Sequence, residues 1–334
     1  MATIGDVASE AGVARSTVSA VLTGRKFVQP ETRARVEAAI AKLDYSVNSG
    51  ARALATRRTM NLGLVVSFHG LEFSPALATY IFAITDAARE HGYGVLLLTQ
   101  PDGVAAVRHA IATREVDGLI LMSVTEDDPR IEAIAAAGFP AVLIGMPEEA
   151  RGLDAVDLDF AGAARKLVKR LADAGHDRIT FVTWPDDVYE SRRTFALRFR
   201  DAALEAAARL GVELHVVPCS AEPDEALGAL REILRDDEAP RALLVHNDAA
   251  VAFLPLVMHE LGLQVPADHS VVSLYSSELG RLYALPYTAV ESEPEHVATL
   301  AVEALVRRLA GSGAPNGAAT LVAALLTERS SVAE

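Results

Sequence analysis

Apolar positions Ile4, Val7, Ala8 and Ala11 recur at helical spacing behind Thr3, a favoured N-cap residue with Asp6 three places on. Gly12 ends that run as a permissive turn residue. A second short helix is predicted from Arg15 to Leu22, with Val18, Val21 and Leu22 inward and Arg15, Ser16, Thr17, Ser19 and Ala20 outward, before Gly24 breaks it. Pro30 and Glu31 suit the first turn of a third helix, whose inward positions are Val36, Ala39, Ile40 and Leu43. Helix, glycine turn, then a short helix facing small polar and basic residues outward is the helix-turn-helix plan. A small three-helix bundle of any purpose shows the same spacing.

From Leu62 the pattern changes to short β-branched runs alternating with amphipathic helices. Strands are predicted at Leu62–Ser67, Val95–Thr99, Leu119–Met122 and Ala141–Gly145, with helices starting near Pro75, Gly103 and Pro129. A second series has strands at Ile179–Thr183, Glu213–Pro218, Ala242–His246 and Val271–Leu274, and helices near Ser191–Leu210, Glu225–Arg235 and Ala249–Gly262. Such alternation means parallel sheets built from right-handed βαβ units, and two series of similar length mean two lobes. A ligand in such a body sits beyond the strand C-termini, in the cleft between lobes.

Between these regions lies a connector, followed by a segment from Ser49 to Arg57 that Asn48 or Ser49 can cap. Gly50 weakens it and it is too short to be a stable helix alone, so it folds only against a partner. Leu54 sits on it with Arg52 and Arg57 on either side, the pattern of an apolar wedge that kinks a minor groove, or of a simple linker with Leu54 tucked against the body.

Charge sharpens this division. The 334 residues carry a formal net charge of −14, which taken whole argues against a nucleic-acid partner. Residues 1–60, however, hold nine basic and five acidic side chains, a balance of +4, and the remainder carries −18. A basic head on an acidic body fits a tethered nucleic-acid reader, or a chance cluster on solvated helices.

Thr3–Ala8, Glu10–Val13, Ser16–Ser19, Val21-Leu22, Pro30–Arg33, Tyr45, Asn48 and Ala51–Leu54 closely resemble the DNA-binding head of the lactose-repressor (LacI/GalR-type) family. The resemblance implies a double-stranded DNA partner, a pseudo-palindromic operator bound by a homodimer. Thr3, Arg15, Ser16, Thr17, Ser19, Ala20, Thr23, Asn48, Arg52 and Leu54 are the DNA-binding candidates, with Leu54 the hinge leucine that opens the central base step. Ala20 stands where many members have a base-reading Arg, Ala14 replaces a Ser cap, Val47 a Pro and Thr23 an Asn, which puts the operator sequence in question.

The resemblance continues through Val116–Ile120, Gly138–Ile144, Val156–Asp159, Gly175–Ile179, Val245–Asp248, Val265–Asp268 and Pro286–Thr288. It implies an α/β fold: a two-lobed, periplasmic-binding-protein-like core of parallel sheets behind an all-α head. The expected boundaries are 1–47 for the head, 48–60 for the hinge and 61–334 for the core. Lobe 1 would take about 61–160 and 290–319, and lobe 2 about 161–289 and 320–334, with one last strand near Leu321–Glu328 in lobe 2. The implied effector candidates are Ser67, Phe73, Trp184, Arg193 (or its neighbour Arg192), Asn247 and Tyr275. Tyr275 stands where sugar binders have Asp, and Gly145 and Pro223 replace other usual sugar contacts, so the effector is a sugar or another small metabolite.

Enzyme chemistry finds little support. The sequence has no GxGxxG, no GxxxxGK[ST], no GxSxG, no HExxH and no CxxC, and its nine histidines are never three or four apart. No cofactor or metal is expected. Cys219, the single cysteine, cannot form an internal disulfide, and its apolar neighbours Val216 and Val217 mark a core residue. No secretory pattern opens the chain and no apolar run is long enough for a bilayer, so a cytoplasmic location is expected. The last eight residues leave no room for a heptad helix, so a C-terminal coiled coil is not expected. A solute-binding protein and an α/β enzyme with a fused helical head are the competing readings. The first would need a leader sequence and the second a phosphate loop or turnover.

Overall fold

A computed structural model describes residues 2–23, 27–45, 58–66, 75–236, 240–313 and 317–333. The chain forms two compact units, Met1–Thr59 and Met60–Glu334.

The first unit contains α1 (Ile4–Ala11), α2 (Arg15–Thr23) and α3 (Pro30–Lys42). The capping box predicted from Thr3 and Asp6 is present: the Thr3 N–H donates to Asp6 Oδ2 at 2.8 Å, and the Asp6 N–H donates to Thr3 Oγ1 at 3.3 Å. Gly12 ends α1 in the left-handed region at φ 65°. Ala14 has no side-chain acceptor for α2, so only its carbonyl receives the Thr17 and Val18 N–H groups, at 2.9 and 3.2 Å. Val7, Ala11, Val18, Val21, Val36 and Ala39 form one buried core, the inward set read from the periodicity.

The second unit has two six-stranded sheets. The strands are β1 (Asn61–Val65), β2 (Gly94–Leu98), β3 (Gly118–Leu121), β4 (Ala141–Ile144), β5 (Asp154–Leu158), β6 (Arg178–Thr183), β7 (Glu213–Pro218), β8 (Ala242–Val245), β9 (Ser270–Tyr275), β10 (Thr288–Glu291), β11 (Ala319–Val322) and β12 (Leu325–Thr327). The first sheet runs β11-β5-β4-β3-β1-β2, all parallel; the second runs β12-β10-β9-β8-β6-β7, parallel except β12. The helices of the first lobe are α4 (Pro75–Glu90), α5 (Gly103–Thr113), α6 (Pro129–Ala137) and, from far along the chain, α13 (Pro294–Leu309). Those of the second are α7 (Phe160–Asp173), α8 (Asp186–Glu190), α9 (Thr194–Leu210), α10 (Pro223–Arg235), α11 (Asp248–Leu261) and α12 (Ser277–Leu282). The chain therefore crosses between lobes after β5, after β10 and between β11 and β12.

Two expectations change here. The single last strand predicted near residues 321–328 is two strands: β11 pairs with β5 in the first sheet and β12 with β10 in the second. The apolar run is continuous in sequence because it serves two cores in turn, Val322 in the first and Ala324 in the second. The second is the predicted strand set of the first lobe, which lacks β5, a strand fully buried although it carries Asp154 and Asp157. Each carboxylate meets an arginine from a distant segment, Arg308 at 2.5 Å and Arg198 at 2.7 Å, which makes a buried polar strand tolerable.

Candidate functional site

On the head, Arg15, Ser16 and Ser19 are exposed along α2, Thr17 and Ala20 are half-buried beside them, and Thr3 is exposed at the start of α1. Small residues here leave the helix backbone close to whatever lies against it, while Arg15 and the hydroxyls supply hydrogen-bonding groups. A β-carbon on Gly5 would stand 2.7 Å from Nη2 of Arg15, so Gly5 leaves the room the guanidinium occupies. Thr3 hydrogen bonds hold the exposed Asp6 carboxyl below its usual range. The Thr23 side chain and residues Asn48, Arg52 and Leu54 lie outside the described residues, as do Ser67 and Phe73 of the effector set.

In the body, a pocket opens between the two sheets at the C-terminal ends of their strands, where parallel strands place ligands. Ile144 ends β4 and Gly145 follows it, Phe160 follows β5, Trp184 follows β6 and His246 follows β8. Leu77 and Tyr80 reach it from α4, and Thr194 and Phe195 from the start of α9. Gly145, at φ 139°, permits a close approach: a β-carbon there would meet Val124 at 2.7 Å and Thr194 Oγ1 at 3.3 Å.

One end of the pocket is an aromatic cluster. Trp184 meets Phe195 edge-on at 5.7 Å, and Phe160 lies 5.9 Å from Phe195. His246 stacks on Phe199 at 3.9 Å and stands 6.3 Å from Trp184. Burial pushes its pKa down to about 3, so the imidazole is neutral. Asp157 contributes a buried carboxyl raised by burial to about 7, against the lowering influence of Arg198. The Tyr80 hydroxyl, whose pKa burial also raises, donates to the Ser292 carbonyl at 3.2 Å.

Several contacts join the lobes around this pocket. Asp248 on α11 accepts from the Ala76 N–H on α4 at 3.2 Å. Thr125 and Arg193 form a short antiparallel bridge, and the Thr194 N–H donates to the Val124 carbonyl at 3.1 Å. Arg192 lies 2.6 Å from Glu126 and 3.8 Å from Glu148 at the rim.

Of the effector candidates within the described residues, Trp184 alone lines the pocket. Asn247 is a structural residue: its Oδ1 caps α11 by accepting from the Ala250 N–H at 2.9 Å, and its Nδ2 donates to the Cys219 and Thr183 carbonyls. Tyr275 is buried in the second lobe, donating its hydroxyl to the Tyr287 carbonyl at 2.6 Å, because Gly280 leaves room for its ring there. Arg193 is buried at the N-cap of α9, beside the pocket wall rather than in it. Phe160, Phe195, His246 and Asp157 were missed by sequence reasoning. Their signal is position, each at or just past the end of a parallel strand or at the start of a helix facing it. Cys219 is buried and its thiol is pushed up to about 12 by burial, which leaves it a poor nucleophile. Among the described residues no three His, Cys, Asp or Glu side chains form a metal-binding group, and no helix is long and apolar enough to cross a membrane.

Residues 3–48 match the family model for bacterial regulatory proteins of the lacI family, and residues 168–332 match that for a periplasmic binding protein-like domain. The transcriptional regulator CelR of Thermobifida fusca is 33% identical over 315 residues, covering 91% of each chain. A solved CelR–cellobiose complex is similar with a TM-score of 0.68 at 27% identity, over 99% of this chain and all of that one. The lac repressor dimer bound to operator and an anti-inducer shares the fold with a TM-score of 0.82 at 24% identity, over 100% of this chain and 99% of that one.

Proposed function

Since the chain belongs to the lacI family of bacterial regulatory proteins and is a sequence-specific DNA-binding transcription regulator, we propose that it is a repressor controlled by a small effector, a sugar or related metabolite, in the interlobe pocket. One observation carries the reading: a capped helix-turn-helix with exposed Arg15, Ser16 and Ser19 shares a chain with a pocketed two-lobed body. The CelR complex with cellobiose and the lac repressor dimer on its operator support small-molecule control and dimeric binding by relatives.

One recognition helix covers one half-site, so a homodimer on a pseudo-palindrome supplies the affinity. A ligand that prefers the closed arrangement, with Asp248 on Ala76 and Arg192 on Glu126, shifts the lobes by its differential affinity for the two states. The lobes join at the three crossings, and their movement alters operator binding by the dimer. The acidic body keeps the dimer from coating DNA indiscriminately.

The test is duplex binding at several salt concentrations by the full chain and by residues 60–334. Salt-dependent binding by the full chain alone supports the reading; equal binding by both removes the head as the reader.

A further inference from the structure

The described part of the pocket has an unusual polar balance for a site that must hold a small polar molecule. Leu77, Met122 and Ile144 from the first lobe face Phe160, Trp184 and Phe195 from the second. Its two carboxylates are engaged: Asp157 with Arg198 at 2.7 Å, and Asp248 with the Ala76 N–H at 3.2 Å. The neighbouring amide of Asn247 is spent on three backbone groups. No Lys or Arg lines the pocket among the described residues. Among these lining residues a buried anion finds no counter-charge.

Three polar atoms in the wall remain without a hydrogen-bond partner although buried: Trp184 Nε1, His246 Nδ1 and Ser292 Oγ. Their side chains belong to residues only 4% exposed. Leaving such groups unmade is unfavourable, so a ligand that satisfies them gains affinity. Trp184 offers only a donor, the neutral imidazole offers a donor or an acceptor by tautomer, and the serine offers both. A polyhydroxylated ring brings more hydroxyls than these three groups satisfy, and each one buried unpaired weakens binding. A flat apolar ring matches the tilted and edge-on faces of Trp184, Phe160 and Phe195.

We propose that the part of the effector buried in this pocket is an uncharged aromatic ring carrying a few hydrogen-bonding substituents, one of them an acceptor for Trp184 Nε1. The ring enters as a free aromatic compound or as the aglycone of a glycoside, and a bare saccharide does not fill its place. This rests on the interlobe pocket being the effector site.

Trp184 is the single tryptophan of the chain, so its fluorescence reports on this pocket. The full chain is titrated with benzamide, phenol, phenyl β-glucoside, benzoate and cellobiose, with fluorescence and calorimetry in parallel. The expected result is saturable change of Trp184 emission by benzamide, phenol or the phenyl glucoside, and none by benzoate or cellobiose. A response to the glucoside alone identifies the aglycone source; a response to the free rings identifies the other. Trp184→Phe keeps a ring and loses the donor, and is expected to weaken aromatic binding about tenfold by calorimetry. Ser292→Ala, a smaller change that keeps the carbonyl bonded to Tyr80, supplies a second variant, with a severalfold loss expected.

Cellobiose or benzoate binding with a Trp184 response, without any aromatic response, overturns the proposed class and leaves the pocket as the effector site. Aromatic heat without a Trp184 response, unchanged in both variants, places the ligand elsewhere and overturns both readings. Silence from every aromatic probe overturns the aromatic proposal.

Discussion

Asp157 Oδ2 lies 2.7 Å from Nη1 of Arg198, joining β5 of the first lobe to α9 of the second at the edge of the pocket. The carboxylate is buried, and burial outweighs the arginine's influence, so its pKa is raised to about 7. A buried pair of this kind adds less stability than its proximity implies, yet is damaging to break.

Arg198→Met is therefore expected to destabilise the body by about 3–5 kcal/mol in denaturant unfolding, because it strands a buried charge. Since the folded pKa of Asp157 is raised, the stability held by its protonated form is present below the unfolded value and lost as pH rises through about 7. The loss should be greater at pH 8 than at pH 6, and Asp157→Asn in the same chain should recover part of it. A loss no larger than that from Lys169→Met, which removes an exposed pair with Asp173, would show the burial to be unimportant.

His246 gives the opposite pH sign. Its folded pKa is depressed to about 3 by burial, so the unfolded chain takes up a proton below about 6.5 that the folded chain refuses. Stability present above pH 6.5 is lost as pH falls toward 3, at up to about 1.4 kcal/mol per pH unit for this one group. His246→Phe, which keeps a ring against Phe199, should flatten that part of the acid limb in unfolding measured from pH 7 to 4.

The capping box of α1 can be tested by itself. Thr3→Ala removes one hydroxyl acceptor and loosens Asp6, and is expected to destabilise the head by about 1 kcal/mol. Thermal unfolding of the head should show this with the body transition unchanged. Thr3→Ser, which keeps the acceptor, should restore most of it.

Leu54→Ala tests the hinge reading from sequence. Loss of the wedge is expected to weaken operator binding much more than binding to unrelated duplex, measured at one salt concentration. Equal losses on both duplexes would leave Leu54 as a linker residue. The salt slope for operator binding should stay modest, in keeping with the few cations of two heads, each carrying nine basic side chains in residues 1–60.

The head was readable because its helices are decided locally: Thr3 and Asp6 are three residues apart, Gly12 turns the chain, and the inward positions follow the helical period. Most strands were equally plain as β-branched runs. What escaped depended on partners far along the chain. Asp154 and Asp157 disguise β5 until Arg308 and Arg198 arrive, and the run through Val322 and Leu325 hides a change of sheet. Asn247 and Tyr275 stand near the right strand ends but spend their polar groups on backbone carbonyls or caps, which sequence spacing does not reveal. The pocket's aromatic wall comes from separate elements, so no local motif announces it.

The three crossings between lobes set an order of events during synthesis. Helix α13 supplies Val297, Ala301 and Leu305 to the first lobe's core, and β11 completes its sheet beside β5. A ribosome that has finished β5 has therefore made neither. The second lobe must be translated before the first can close, and it receives its own last strand, β12, only after that. Neither lobe is a continuous stretch of chain, so a release of the nascent polypeptide anywhere between residues 160 and 320 leaves no completed lobe. Quality control would meet this molecule as a head alone or as a whole.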